Sequence, residues 1–298
     1  MILNVDGVSG IILSYLTDTN VLSLARCERK KYVFSLCDIL LNEDMVDWAL
    51  ANGCPRDIIC NSIALNGSLE ALQRAYTLGC PWSHITSNNA ARNGNLECLK
   101  YAHNSGCEWF FDTCAAAAEG GHLDCLKYAH DSGCKWNFVT CYKAAESGHL
   151  ECLKYVYEHG CPWDATTCWM AARFGHLNCL KYAHEHGCPW SPTICSLVAE
   201  YGHLECLKYV HEQGCKWSSN TCAYAAKNGH LECLKYAHKN GCPWSSEACI
   251  YAAKNGHLEC LKYLHKQGCP WSSKACEFAA MNGHEKCLQY LHEHSDGI

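Results

Sequence analysis

One phrase limits what this chain can fold into more than any other feature. Gly121 to Trp136 reads G-H-L-D-C-L-K-Y-A-H-D-S-G-C-K-W, and it returns along the chain. Cys107, Cys134, Cys161, Cys188, Cys215, Cys242 and Cys269 stand 27 residues apart. His122 to His284 and Trp82 to Trp271 keep the same step. A fixed period of roughly 20–50 residues marks a solenoid, whose units stack on their neighbours. Such arrays grow by adding units, so 298 residues predict one long repeat domain rather than two globular ones.

Ser218 to Trp244 shows why each unit is two helices. Ser218 or Ser219 offers an N-cap oxygen. Cys222, Ala225 and Ala226 share one helical face, and Gly229 ends the first helix in a left-handed turn. His230 opens the second helix, in which Leu231, Cys233, Leu234, Ala237 and His238 share an arc and Glu232, Lys235 and Lys239 point away. Gly241 closes it, and Pro243 prevents continuation. Helices of about 10–12 residues are too short to stand alone in water, so stacking must stabilise them. Small Ala and Cys side chains let the axes approach to about 8–10 Å. The repeat begins worn, as a half unit from Asn42, and continues as nine helix pairs, giving a repeat region over 41–298.

The run Gly229 to Cys242, G-H-L-E-C-L-K-Y-A-H-K-N-G-C, and the bridge of Ala225, Ala226, Gly229 and His230 resemble the ankyrin repeat. The period of 27 is shorter than that family's roughly 33, and the residues of its β-hairpin finger are the ones missing. A Cys-Pro-Trp segment stands in their place. The resemblance implies an all-α solenoid of stacked ankyrin-like helix-turn-helix repeats with little or no strand. It also implies that Trp packs across the junction between units, and that the protein binds other proteins rather than catalysing a reaction.

Residues 1–40 do not fit the repeat. L-N-V-D-G-V-S-G-I-I-L-S-Y-L from Leu3, then V-L-S-L-A-R-C-E-R-K-K-Y from Val21, resemble an F-box. Ile12, Leu13, Tyr15 and Leu16 carry the core of the match, with Leu3, Asp6, Cys27, Arg29 and Tyr32 around it. Asn4 stands where that family has Pro, and the stretch between Leu16 and Cys27 is one residue short. The resemblance implies docking to the Skp-type adaptor of a cullin ubiquitin ligase. The competing reading is a helical N-terminal cap that shields the first repeat from water. Gly-Cys-Pro-Trp repeats joined to such an N-terminus resemble a family common in giant DNA viruses of amoebae.

The net charge of −6, with no basic cluster, argues against a nucleic-acid backbone as partner. No apolar run reaches the roughly 18 residues of a membrane span, and Met1 to Leu16 is a poor signal peptide. The 27 cysteines are then read as reduced thiols in a cytoplasmic protein, host cytoplasm if viral. Spacings such as His130-x3-Cys134-x6-Cys141, with Cys152 beyond, would suit zinc. These positions match apolar ankyrin positions, however, and Tyr157 breaks the His column while its cysteines remain. Buried Cys as a small hydrophobe is the stronger reading, so no metal or cofactor is expected. Catalysis needs one singular site, and these residues are copied from unit to unit, so no enzyme is expected.

In a repeat protein the constant columns hold the stack and the varying ones are free to recognise a partner. The column two residues after the first-helix Cys varies: Ala116, Lys143, Met170, Leu197, Tyr224, Tyr251 and Phe278. It lies about 200° around the helix from the buried Cys. Met170, Leu197, Tyr224, Tyr251 and Phe278 are expected as an exposed apolar ladder that binds a protein client, with Arg173, Glu200, Lys227 and Lys254 as a charged rim. The alternative is that the first helices are sandwiched and the ladder is core. The expected molecule is a monomeric adaptor.

Overall fold

The computed structural model describes residues 42–51, 53–110 and 112–294. The F-box-like segment, with Ile12, Leu13, Tyr15 and Leu16, lies outside the described residues. Among those described, the regular structure is helix alone, and the fold is an all-α solenoid of stacked helical repeats. The described residues fall into two compact units, 42–117 with 124–135, and 118–123 with 136–294.

The first unit holds α1 Glu43–Ala51, α2 Arg56–Asn66, α3 Leu69–Thr77, α4 His84–Arg92, α5 Leu96–Asn104 and most of α6 Thr113–Gly120 and α7 Leu123–Asp131. Within it α2 packs on α4, while α1 packs on α3 and α3 on α5.

The second unit pairs α8 Phe138–Glu146 with α9 Leu150–Glu158, and α10 Ala165–Arg173 with α11 Leu177–Glu185. It continues with α12 Ile194–Tyr201 and α13 Leu204–Glu212, then α14 Ser219–Lys227 and α15 Leu231–Lys239. Last come α16 Ser246–Lys254 with α17 Leu258–Lys266, and α18 Ser273–Met281 with α19 Glu285–Glu293. First helices form one layer, α8 on α10 and so on to α18, and second helices form the other, α9 on α11 to α19.

The helices are mostly nine residues long, shorter than the 10–12 read from the sequence. Their ends consume the difference. Asp164 caps α10, its carboxylate accepting from Thr166 N at 2.9 Å. The helix closes by two reverse bonds, Gly175 N to Ala172 O at 3.3 Å and His176 N to Ala171 O at 2.8 Å. His176 is itself the non-helical N-cap of α11 (φ −83, ψ 76). One residue thus ends one closing turn and opens the next helix.

The core lies between the layers. Cys168, Ala171 and Ala172 of α10 face Cys179, Leu180 and Ala183 of α11, and all are buried. Leu99, Leu126, Leu153, Leu180, Leu207, Leu234 and Leu261, equivalent residues of successive units, are each fully buried. Burying one such side chain is worth about 1.5–3 kcal/mol. The second helices carry their charge outward, as i,i+3 pairs such as Lys208–Glu205 (2.7 Å) and Lys235–Glu232 (2.8 Å).

Candidate protein-binding face

The repeated polar residues are absorbed by the stack. The His that opens each second helix reaches back to the previous unit. His203 Nε2 donates to Arg173 O, at the open C-terminal end of α10, at 2.8 Å. His176, His230 and His257 do the same for the carbonyls of Glu146, Glu200 and Lys227, and burial holds all three below the ordinary imidazole pKa. Asn95, which opens α5, takes this role in its unit, donating to Ala64 O at 2.8 Å. The His ring needs a glycine beneath it: a Cβ on Gly229 (φ +76) would stand 2.6 Å from His257 Nδ1.

The Trp column joins neighbouring units, as its resemblance implies. Trp190 stacks on His184 with centroids 3.7 Å apart and meets Tyr209 of the next unit edge-on at 6.2 Å. His184 Nδ1 in turn lies 3.0 Å from Tyr209 Oη. Tyr157, which breaks the His column, stacks on Trp163 at 3.8 Å. What the position requires is a flat ring, which explains why His and Tyr interchange there.

The described cysteines are free thiols and nearly all buried. Burial pushes the second-helix thiols up, Cys152 and Cys206 to about 11, Cys233 and Cys260 to about 12. Several thiols of the Gly-Cys column run the other way. A hydrogen bond from the first-helix thiol twenty positions earlier lowers Cys188, Cys242 and Cys269, and brings Cys215 down to about 7. Among the described residues no three His, Cys, Asp or Glu side chains form a group able to hold a metal.

The varying ladder is half-buried, between the two sequence readings. Met170, Leu197, Tyr224, Tyr251 and Phe278 each keep part of their surface in solvent. The side-by-side packing of the first helices covers the rest. The rim folds onto the ladder: Lys227 Nζ lies 5.7 Å from the Tyr224 ring, and Lys254 Nζ 5.2 Å from that of Phe278. Lys227 also pairs with Glu200 at 3.7 Å.

One unit departs from the rest. In the units of α4, α8, α10 and α14 a buried Thr follows the N-cap by three, as Thr221 follows Ser218 and accepts from its N–H at 3.5 Å, while Ala248 and Ala275 take the place in the last two units. In the unit of α12 that place is Ile194, and Pro192 precedes it. In this unit α12 starts at Ile194 rather than beside Ser191. A groove opens between α10 and α12, lined by Thr166, Trp169, Ser191, Thr193, Ile194 and Leu197. Next to it the Arg173 guanidinium sits among three rings, 5.1 Å from Trp169, 5.4 Å from Phe174 and 5.2 Å from Tyr201. Sequence reading placed Arg173 on a rim but missed Phe174 and Tyr201. They stand where other units have Ser147, Asn228, Asn255 and Asn282, so the same internal comparison would have found them.

Two family models match the chain, both described as ankyrin repeats, over residues 141–184 and 222–298. These stretches are ankyrin repeats. No curated protein matches the chain. Ankyrin repeats imply a protein–protein interaction scaffold. Among the described residues no helix is long and apolar enough to cross a membrane.

Proposed function

We propose that this chain is a non-enzymatic, monomeric cytoplasmic adaptor. Its repeats hold a protein client, and its N-terminal segment docks the Skp-type adaptor of a cullin ubiquitin ligase, which then modifies the client. No cofactor, nucleic acid or membrane takes part. The observation that carries the reading is the contrast between columns. The constant Ala, Cys, Leu and His columns are tied up within the stack, while Met170, Leu197, Tyr224, Tyr251 and Phe278 differ and keep part of their surface in solvent. Aromatic anchors of this kind dominate most interfaces.

Two measurements test it. Purified chain should bind a Skp-type adaptor, and Leu13→Asp with Leu16→Asp should abolish that binding. No binding by wild type at tens of micromolar leaves a plain scaffold without ligase link. Clients identified by affinity purification should be lost from a Tyr224→Ala, Tyr251→Ala chain whose melting temperature is unchanged. A large drop in melting temperature would instead assign the ladder to the core.

A further inference from the structure

The groove between α10 and α12 sets an apolar recess beside a cation, Arg173. Lys143 is matched by Glu119 and Glu146, at 3.1 and 2.8 Å, and Lys227 by Glu200. Among the described residues Arg173 has no carboxylate within ion-pair distance. Its guanidinium instead lies over the rings of Trp169, Phe174 and Tyr201, and among the described residues its N–H groups have no acceptor. Phe174 and Tyr201 are 44 % and 37 % exposed, so the rings reach solvent around the cation. Trp169 is shared, serving as a wall of the groove and as a support for Arg173.

We propose that this is a docking site for a linear protein segment carrying an acidic residue next to a large apolar one. The proposal rests on the adaptor reading and names what its client presents. A carboxylate fits the fork of Arg173 with two parallel N–H···O bonds. Ring-held geometry lowers the entropy lost on binding, and the apolar surroundings strengthen the ion pair. The apolar side chain enters between Trp169 and Leu197, and the Ser191 and Thr193 hydroxyls at the mouth offer partners to the segment's backbone. The recess measures about 240 Å3, below the roughly 300–1,000 Å3 of small-molecule sites. That suits an anchoring side chain better than a cofactor. A polyanionic nucleic acid is disfavoured by the net charge of −6.

The test uses the full chain and a phage-displayed library of random twelve-residue peptides. Enriched peptides should share an Asp or Glu within a few positions of Leu, Ile, Met or Phe. A fluorescein-labelled consensus peptide, followed by anisotropy, should lose at least roughly tenfold in affinity to Arg173→Ala, as expected for a hydrogen-bonded charge pair. Arg173→Lys should recover little of it. Thr193→Trp, an exposed change that fills the groove, should also weaken binding while the thermal melt stays put. Replacing the peptide's acid by its amide should cost nothing further on the Arg173→Ala chain. No enrichment, a consensus without an acid, or affinities indifferent to both variants overturns the proposal. If the selected peptides depend on Tyr224 and Tyr251 instead, the adaptor reading stands and this site falls.

Discussion

Thiol chemistry at single positions separates the three cysteine columns. Cys206 and Cys233 are buried with pKa values near 11 and 12, so they stay protonated and inert at neutral pH. Cys215 is half-buried, lies near 7, and sits 3.8 Å from Pro192 O, where its counterpart Cys188 is 3.1 Å from Asp164 O. More of it is thus thiolate at neutral pH than of the buried second-helix thiols. Iodoacetamide on the native chain should therefore label Cys215 first, as read by peptide mass mapping, with Cys206 protected until denaturant is added. Equal labelling would contradict the assignment. Glycines offer a second residue-scale contrast. Gly229 and Gly241 have φ of 76° and 81°, but only Gly229 has a ring against its Cα face, the other finding nothing within 4 Å. Gly241→Ala should cost about 1 kcal/mol from backbone strain alone, and Gly229→Ala roughly 2–4 kcal/mol because His257 must move. Urea denaturation compares them directly. Equal losses would mean the His ring yields freely.

At the scale of elements, helices of nine residues survive because each end is closed and each face is covered. The loop tryptophans contribute to that cover. Trp190 is half-buried between His184 and Tyr209, so Trp190→Ala should destabilise the array by about 1–3 kcal/mol. That is less than the roughly 3–5 kcal/mol of a wholly buried aromatic. The denaturation midpoint checks it, and no measurable loss would make the ring a recognition residue. The exposed Lys–Glu pairs on the second helices are worth at most about 1 kcal/mol each, and swapping them should matter little.

Over each unit taken whole, the histidines make the stack sensitive to acid. His176, His230, His257, His184, His238 and His265 are all lowered by burial below their ordinary 6.5. The unfolded chain then binds protons that the fold excludes. Their stabilisation is full above about pH 6.5 and is lost as pH falls below that value through the lowered folded values. Thermal melts should hold steady from pH 8 to 7 and drop progressively below 6.5. A melting temperature that is flat down to pH 5 would show that the rings protonate without leaving their places. Unfolding should be broad, since coupling in a repeat array runs between nearest neighbours.

The 27-residue period, the two helices per unit and the buried role of cysteine all follow from the sequence. These are properties of positions copied from unit to unit, and repeated burial leaves a repeated residue type. Helix length was overread because one residue, such as His176, serves both a closing turn and the following cap, and periodicity does not mark that sharing. The ladder's half-burial, the rings around Arg173 and the His–Trp–Tyr trios were decided by tertiary structure. In each, at least one partner lies about 25–30 residues away on a neighbouring helix, as Tyr201 does for Arg173 and Tyr209 for His184. The spacing of those helices, which local sequence does not contain, sets whether a side chain faces water, a ring or a carbonyl.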